Sequence, residues 1–217
     1  MENELSSYID HSLLKPIANK TAILTLIEEA LAYSFATVCV PPCYVALCAE
    51  ALKGKSVKVC TVIGFPLGYN HFNAKFEEAK IAVADGADEL DMVINQCAMK
   101  NGEYDYILDE IKLIKWNFPD KIVKVIVETC NLTLDEKKRI VNVVIDSGAD
   151  FIKTSTGFSS AGAAIDDIKL FKKIAGKKLK IKASGGIKDL ATMKAFIAAG
   201  ADRIGTSSGV TIIGGSK

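Results

Sequence analysis

Residues 147–156 read SGADFIKTST, and the same frame returns twice. Residues 85–94 read DGADELDMVI and residues 199–208 read AGADRIGTSS. In each copy a glycine sits where a helix would end in a left-handed cap. A short apolar strand then follows. These glycines, Gly86, Gly148 and Gly200, lie 62 and 52 residues apart, about two strand–helix units each. Working outward from them, strands are predicted at residues 7–10, 36–40, 58–63, 89–94, 122–128, 151–154, 179–183 and 203–206. Helices are predicted between them at residues 21–33, 44–52, 73–85, 104–116, 134–147, 164–175 and 191–199. Strands alternating with helices imply βαβ units and a parallel sheet. The strands are mostly apolar runs, as when both faces are covered. Eight such units in 217 residues predict an α/β fold, a (β/α)8 TIM barrel forming a single domain over residues 1–217. The alternative is an open doubly wound sheet, but no GxGxxG follows the first strand.

Composition agrees with a globular enzyme-sized chain. Hydrophobic residues make up 49% and charged residues 24%, which excludes a disordered chain or a low-complexity fibre. With 27 Lys plus Arg against 26 Asp plus Glu, there is no electrostatic reason to expect nucleic acid. Only Arg139 and Arg203 are arginines. A phosphate would therefore be held by backbone N–H groups rather than guanidinium forks. The first ten residues lack the pattern of a signal peptide, and no apolar run approaches a membrane span. The expectation is a cytoplasmic protein whose six cysteines are reduced. No CxxC occurs, and His11 and His71 are the only histidines, so no metal site is expected.

In a barrel the chemistry lies at the C-terminal ends of the strands, and side chains alternate between the two faces of each strand. Ile152, Ile181, Leu90 and Met92 are suited to face the helices. That turns Lys153, Lys182 and Asp91 into the barrel. Two neighbouring lysines disfavour each other's charge, which lowers pKa. A free amine can attack a carbonyl and form a Schiff base, and Asp91 can move protons. The competing reading is that both lysines reach solvent at strand ends, with Asp91 a plain ion-pair partner. On strand 5, Lys124 and Glu128 share the inward face and are expected to form a buried pair. Cys39 ends strand 2, as a core residue or as part of the pocket wall. His71 is expected to be a solvated loop residue.

Two loops complete the candidate site. Ser184-Gly185-Gly186-Ile187 follows the seventh strand, and Gly205-Thr206-Ser207-Ser208-Gly209 follows the eighth. Glycines let backbone N–H groups approach an anion, and barrels often bind phosphate between these two loops. Tight turns would use glycine equally well.

Several segments in order resemble the deoxyribose-phosphate aldolases, a family of class I aldolases. They are IDHSLLKP (residues 9–16), TVIGFPLG (61–68), ELDMVIN (89–95), VKVIVET (123–129), FIKTSTGF (151–158) and IKASGGI (181–187). The resemblance runs from about residue 8 to residue 209. It implies reversible cleavage of 2-deoxy-D-ribose 5-phosphate into D-glyceraldehyde 3-phosphate and acetaldehyde, without metal or organic cofactor. It implies that Lys153 forms the Schiff base. Lys182 then keeps Lys153 deprotonated and takes part in proton transfer, and Asp91 donates and accepts protons through a water. Gly157, Gly185, Gly186, Ser207 and Ser208 would hold the substrate phosphate. Asp10 falls in the family's IDH segment and helps orient the lysines or serves the first strand structurally. The resemblance also implies a homodimer or homotetramer. Three departures stand out. Lys188 occupies a place where the family often has Arg, Phe158 stands where some members have Lys, and the terminal TIIGGSK lacks the tyrosine of several bacterial members. Other readings are a phosphosugar isomerase or different lysine aldolase on the same barrel, and a barrel that only binds a phosphorylated ligand.

Overall fold

A computed structural model describes residues 2–214; the end of the TIIGGSK segment, residues 215–217, lies outside them. Eight strands run β1 (Ile9–Ser12), β2 (Thr37–Val40), β3 (Lys58–Ile63), β4 (Glu89–Val93), β5 (Ile122–Ile126), β6 (Phe151–Lys153), β7 (Lys180–Ser184) and β8 (Arg203–Thr206). Each pairs in parallel with its sequence neighbour, and β1 also pairs with β8, so the sheet closes into a barrel. This excludes the open doubly wound sheet. The helices are α1 (Glu2–Ser6), α2 (Lys20–Tyr33), α3 (Val45–Ala51), α4 (Phe72–Ala84), α5 (Gln96–Asn101), α6 (Tyr104–Asn117), α7 (Leu134–Asp146), α8 (Ile165–Ala175), α9 (Leu190–Ala199) and α10 (Gly209–Gly214). None is long and apolar enough to cross a membrane. The first strand is Ile9–Ser12 rather than residues 7–10, because its polar run carries no apolar signal.

The expected alternation holds. Leu90, Met92, Ile152 and Ile181 are fully buried in the apolar layer between strands and helices. Burying a side chain of this size contributes about 1.5–3 kcal/mol. The other face of the strands lines a barrel interior filled largely by charged side chains. A small separate cluster of Cys39, Cys60 and Val62 lies apart from the main core. Lys180, which shares a face with Lys182, is exposed at the start of β7, its ammonium 5.4 Å from the centre of the Phe151 ring.

The GAD repeat has a structural reason beyond its glycine. Asp88, Asp150 and Asp202 each precede an even-numbered strand. Asp88 donates its N–H to Val59 O (2.8 Å) and accepts from Val59 N through Oδ2 (2.9 Å). Asp150 does the same to Val123 (3.0 and 2.8 Å), and Asp202 to Ile181 (2.8 and 2.9 Å). Each aspartate thus brackets the preceding odd strand at two points, at the end of the barrel opposite the candidate site. Before β2 the corresponding residue is Ala36, which donates to Ile9 O (2.9 Å) but has no side chain to close the bracket. All six cysteines are free thiols.

Candidate active site

Asp91 is completely buried at the middle of β4 and sits at the centre of the charged interior. Its Oδ2 accepts from Lys153 Nζ on β6 (2.7 Å) and Lys182 Nζ on β7 (2.6 Å). Its Oδ1 accepts from Lys124 Nζ on β5 (2.7 Å) and faces the Cys60 thiol on β3 (3.2 Å). Sheet register sets this up: Asp91 is level with Lys124, and Lys153 with Lys182. Asp10 on β1 adds a second carboxylate. Its Oδ2 lies 2.5 Å from Lys182 Nζ, and its Oδ1 lies 2.5 Å from Arg203 Nη1. Glu89, one inward step below Asp91, pairs with Lys124 at 2.5 Å and Arg203 at 3.4 Å.

Four basic side chains therefore share three carboxylates. Lys124 has three acidic partners, Lys182 and Arg203 two each, and Lys153 only Asp91. Of the four basic side chains, Lys153 has the fewest carboxylates around it. Gly205 makes room for this arrangement: a Cβ there would stand 3.0 Å from Lys182 Cε.

The electrostatics correct one expectation. Proximity of lysines was expected to lower pKa, but Lys182 moves upward. Burial alone would depress it and Lys124 repels it, yet the charges of Asp10 and Asp91 outweigh both. Lys124 likewise rises well above the usual lysine range, with Asp91 the strongest attraction opposing its burial. Asp91 is held well below the usual carboxylate range. Burial would raise it, but Lys124, Lys153 and Lys182 overcome that penalty. Asp10 is lowered in the same way, against its burial, by Lys182, Lys124 and Arg203. So Lys182 is a buried cation and Asp91 a buried anion at neutral pH.

The expected Lys124–Glu128 pair is also corrected. Glu128 lies beyond the end of β5 with φ +54°. Its carboxylate turns sideways to accept from the hydroxyl and N–H of Thr156, while Lys124 pairs with Asp91 and Glu89 on the neighbouring β4 and lies 3.6 Å from Asp10 on β1. Lys124, Glu89 and Arg203 are site neighbours that sequence reasoning did not assemble. The alternation reads Lys124 as inward, but not that it pairs with the β4 carboxylates instead of Glu128.

Above the two lysines opens a cleft of about 310 Å³. Lys153, Lys182, Gly157, Gly185, Gly186, Ser207 and Ser208 all line it; Asp91 lies beneath them. The two loops are joined, since Thr206 Oγ1 donates to Ile187 O (2.7 Å) and accepts from Ser208 N (2.9 Å). Gly185 needs its positive φ of +87° and lets Gly162 approach closely. Lys188 and Lys15 also line the cleft, so the place without an arginine still carries a cation. Phe158 packs edge-on to Phe65, with ring centres 5.2 Å apart. Cys39 is both core and wall, 1% exposed yet lining the cleft. His71 is exposed and caps α4 by accepting from Asn73 N (3.2 Å).

Two sets of potential metal ligands occur among the described residues, Cys39–Cys60–Asp91 and Asp10–Cys60–Glu89. Both are already neutralised by lysine or arginine. A dication placed on Asp91 would meet three ammonium groups, so these residues suit lysine chemistry better than metal binding.

Fold and site define a class, a (β/α)8 barrel enzyme built for carbonyl chemistry with an amine and small-residue loops at one mouth. The model of the DeoC/LacD family aldolases matches residues 6–213. A deoxyribose-phosphate aldolase of Caldicellulosiruptor saccharolyticus is 52% identical over 215 residues, 98% of each chain. One from Streptococcus equi subsp. zooepidemicus is 50% identical over 211 residues, 97% of this chain and 96% of the relative. The tetrameric deoxyribose phosphate aldolase structure from Aeropyrum pernix superposes with a TM-score of 0.91 at 32% identity, covering 100% of this chain and 92% of that one. The chain belongs to the DeoC/LacD aldolase family.

Proposed function

We propose that this protein is a class I aldolase, a lyase that reversibly cleaves 2-deoxy-D-ribose 5-phosphate into D-glyceraldehyde 3-phosphate and acetaldehyde. The observation that carries the reading is one buried carboxylate oxygen, Asp91 Oδ2, shared by two lysines at the floor of a glycine-lined cleft. Its relatives carry the same activity in their names.

Lys153 attacks the C1 aldehyde as the free amine, and water leaves to give an imine. The proton of the C3 hydroxyl is removed, the C2–C3 bond breaks, and its electron pair moves into the iminium to give an enamine. Glyceraldehyde 3-phosphate departs. The enamine takes a proton at C2, and hydrolysis releases acetaldehyde and the Lys153 amine. Lys182, held as a cation, is the proton donor beside the imine nitrogen. Asp91, held as an anion, offsets the iminium charge and relays protons through water. Gly157, Gly185, Gly186, Ser207 and Ser208 hold the phosphate, and Lys188 adds a point charge there. No organic cofactor or metal is required. The barrel works as one domain, in a cytoplasmic homodimer or homotetramer.

Sodium borohydride reduction in the presence of acetaldehyde tests the reading by mass spectrometry. An ethyl adduct on the peptide holding Lys153, lost in Lys153→Ala, is expected. A folded protein with no adduct on any lysine would overturn it.

A further inference from the structure

We infer that Glu128 is a positioning residue that fixes the loop carrying Gly157 and thereby sets the preference for phosphorylated over unphosphorylated substrates. The inference rests on the assignment of Gly157 to the phosphate-holding loops.

Glu128 occupies the left-handed region, with φ +54° and ψ +69°. Among the described residues, the only other non-glycine with positive φ is Ser34. Ser34 is an ordinary left-handed cap at the end of α2. Glu128 is different: it is long, follows a strand, and is 3% exposed. A bulky residue persists in this region only where its surroundings over-determine it, and such positions cluster at functional sites.

What holds it is mainly Thr156, with the Cys130 thiol 3.9 Å from Oε1. Both carboxylate oxygens face Thr156 N (3.3 and 3.4 Å), and Oε2 accepts from Thr156 Oγ1 at 2.5 Å. Thr156 Oγ1 in turn accepts from Phe158 N at 3.0 Å. Thr156 is thus tied directly to the Glu128 carboxylate, and Phe158 is tied to it through the Thr156 hydroxyl. The adjacent Thr129 N donates to Thr154 O at 2.9 Å, fastening the start of the same loop. On the other side, Gly157 lies over Gly185 of the β7 loop. A glycine at position 128 would adopt this backbone freely but would hold nothing. The glutamate is there for its carboxylate.

Lys153 does not depend on this tie. It is held by its place in β6, by the backbone bond from Val127 N to its carbonyl (3.1 Å) and by Asp91, none of them made by the Glu128 side chain. Loss of the Glu128 carboxylate should loosen the phosphate end and leave the chemistry in place, a KM effect rather than a kcat effect.

The test is steady-state kinetics of Glu128→Gly and Glu128→Gln on 2-deoxyribose 5-phosphate and on unphosphorylated 2-deoxyribose. In Glu128→Gly, KM for the phosphate ester should rise about tenfold. Its kcat, the kcat/KM for 2-deoxyribose and borohydride trapping at Lys153 should stay within about twofold of the parent. Glu128→Gln keeps one acceptor and should lie between; if Glu128→Gly does not fold, it decides alone. An unchanged KM, or an equal loss on both substrates, overturns the inference. Ser207→Ala and Gly186→Ala test the phosphate assignment separately. If they keep the phosphate preference, that assignment fails and the inference falls with it. If they abolish the preference while the Glu128 variants keep it, only the inference fails.

Discussion

Asp91 has no oxygen left free: Oδ1 is held from below by Lys124 and Cys60, and Oδ2 faces the two lysines of the cleft. Lys124 therefore decides which oxygen is presented to the substrate. Replacing it with methionine also removes the largest charge lowering the Asp91 pKa. The acid limb of the pH–rate profile should then move to higher pH, because Asp91 would take up a proton earlier on acidification. We expect kcat to fall by roughly 10²-fold, the lower end of what a positioned proton-transfer group supplies. Removing one member of a buried ion cluster also costs about 3–5 kcal/mol of stability. The variant Lys124→Met/Glu89→Gln, which removes one charge of each sign, should recover part of that stability but not the pH profile. A parent-like profile in a folded Lys124→Met would contradict this role. At this scale the strand alternation made Lys153, Lys182 and Asp91 legible, since each shares a strand with an outward isoleucine, leucine or methionine. The partner of Lys124 was not legible. Asp91 and Glu89 sit on the adjacent strand, and the pattern along each strand does not say which inward residues of neighbouring strands come level.

At the scale of elements, the aspartates before β4, β6 and β8 act as two-point brackets on the preceding strands. Asp150 also pairs with Lys115 at 2.8 Å. Asp150→Ala leaves Val123 N without its side-chain acceptor, which costs about 1–3 kcal/mol. For a chain of this size that lowers Tm by about 2–4 °C per kcal/mol. Thermal unfolding should show that drop, while kcat/KM stays at the parent value, because the bracket lies away from the cleft. A loss of activity without a loss of Tm would refute the bracket as a stability device. The glycine of the repeat was readable as a cap, and Gly86, Gly148 and Gly200 all take positive φ. The aspartate's task was not, because its partner lies on another strand about 30 residues earlier in the chain. The short helices α1, α5 and α10 also escaped reading, since five or six residues make too few turns for a period to emerge. β1 was placed two residues early for a related reason. Asp10 turns into the charged interior and His11 outward to Glu29 Oε2 at 2.7 Å, so neither face of this strand looks apolar.

At the scale of the whole molecule, the two ends of the barrel divide the work. One mouth collects lysines, carboxylates and glycine loops; the other fastens strands in pairs. The closed ring was legible from the count of strand–helix units, since eight parallel strands of this kind close well. Closure itself joins the first strand to the last, with Ile9 level with Ile204. The pairs β3–β4, β5–β6 and β7–β8 are each fastened by an aspartate bracket, whereas β1–β2 has only the backbone half through Ala36. Local opening has a preferred place in such a ring. In native-state hydrogen exchange, the amides of β1 and β2 should exchange through openings of lower free energy than those of β5 and β6. Equal protection around the ring would refute this. If the order holds, the barrel breathes at the seam beside Asp10, so its slow fluctuations and its charged interior share one edge.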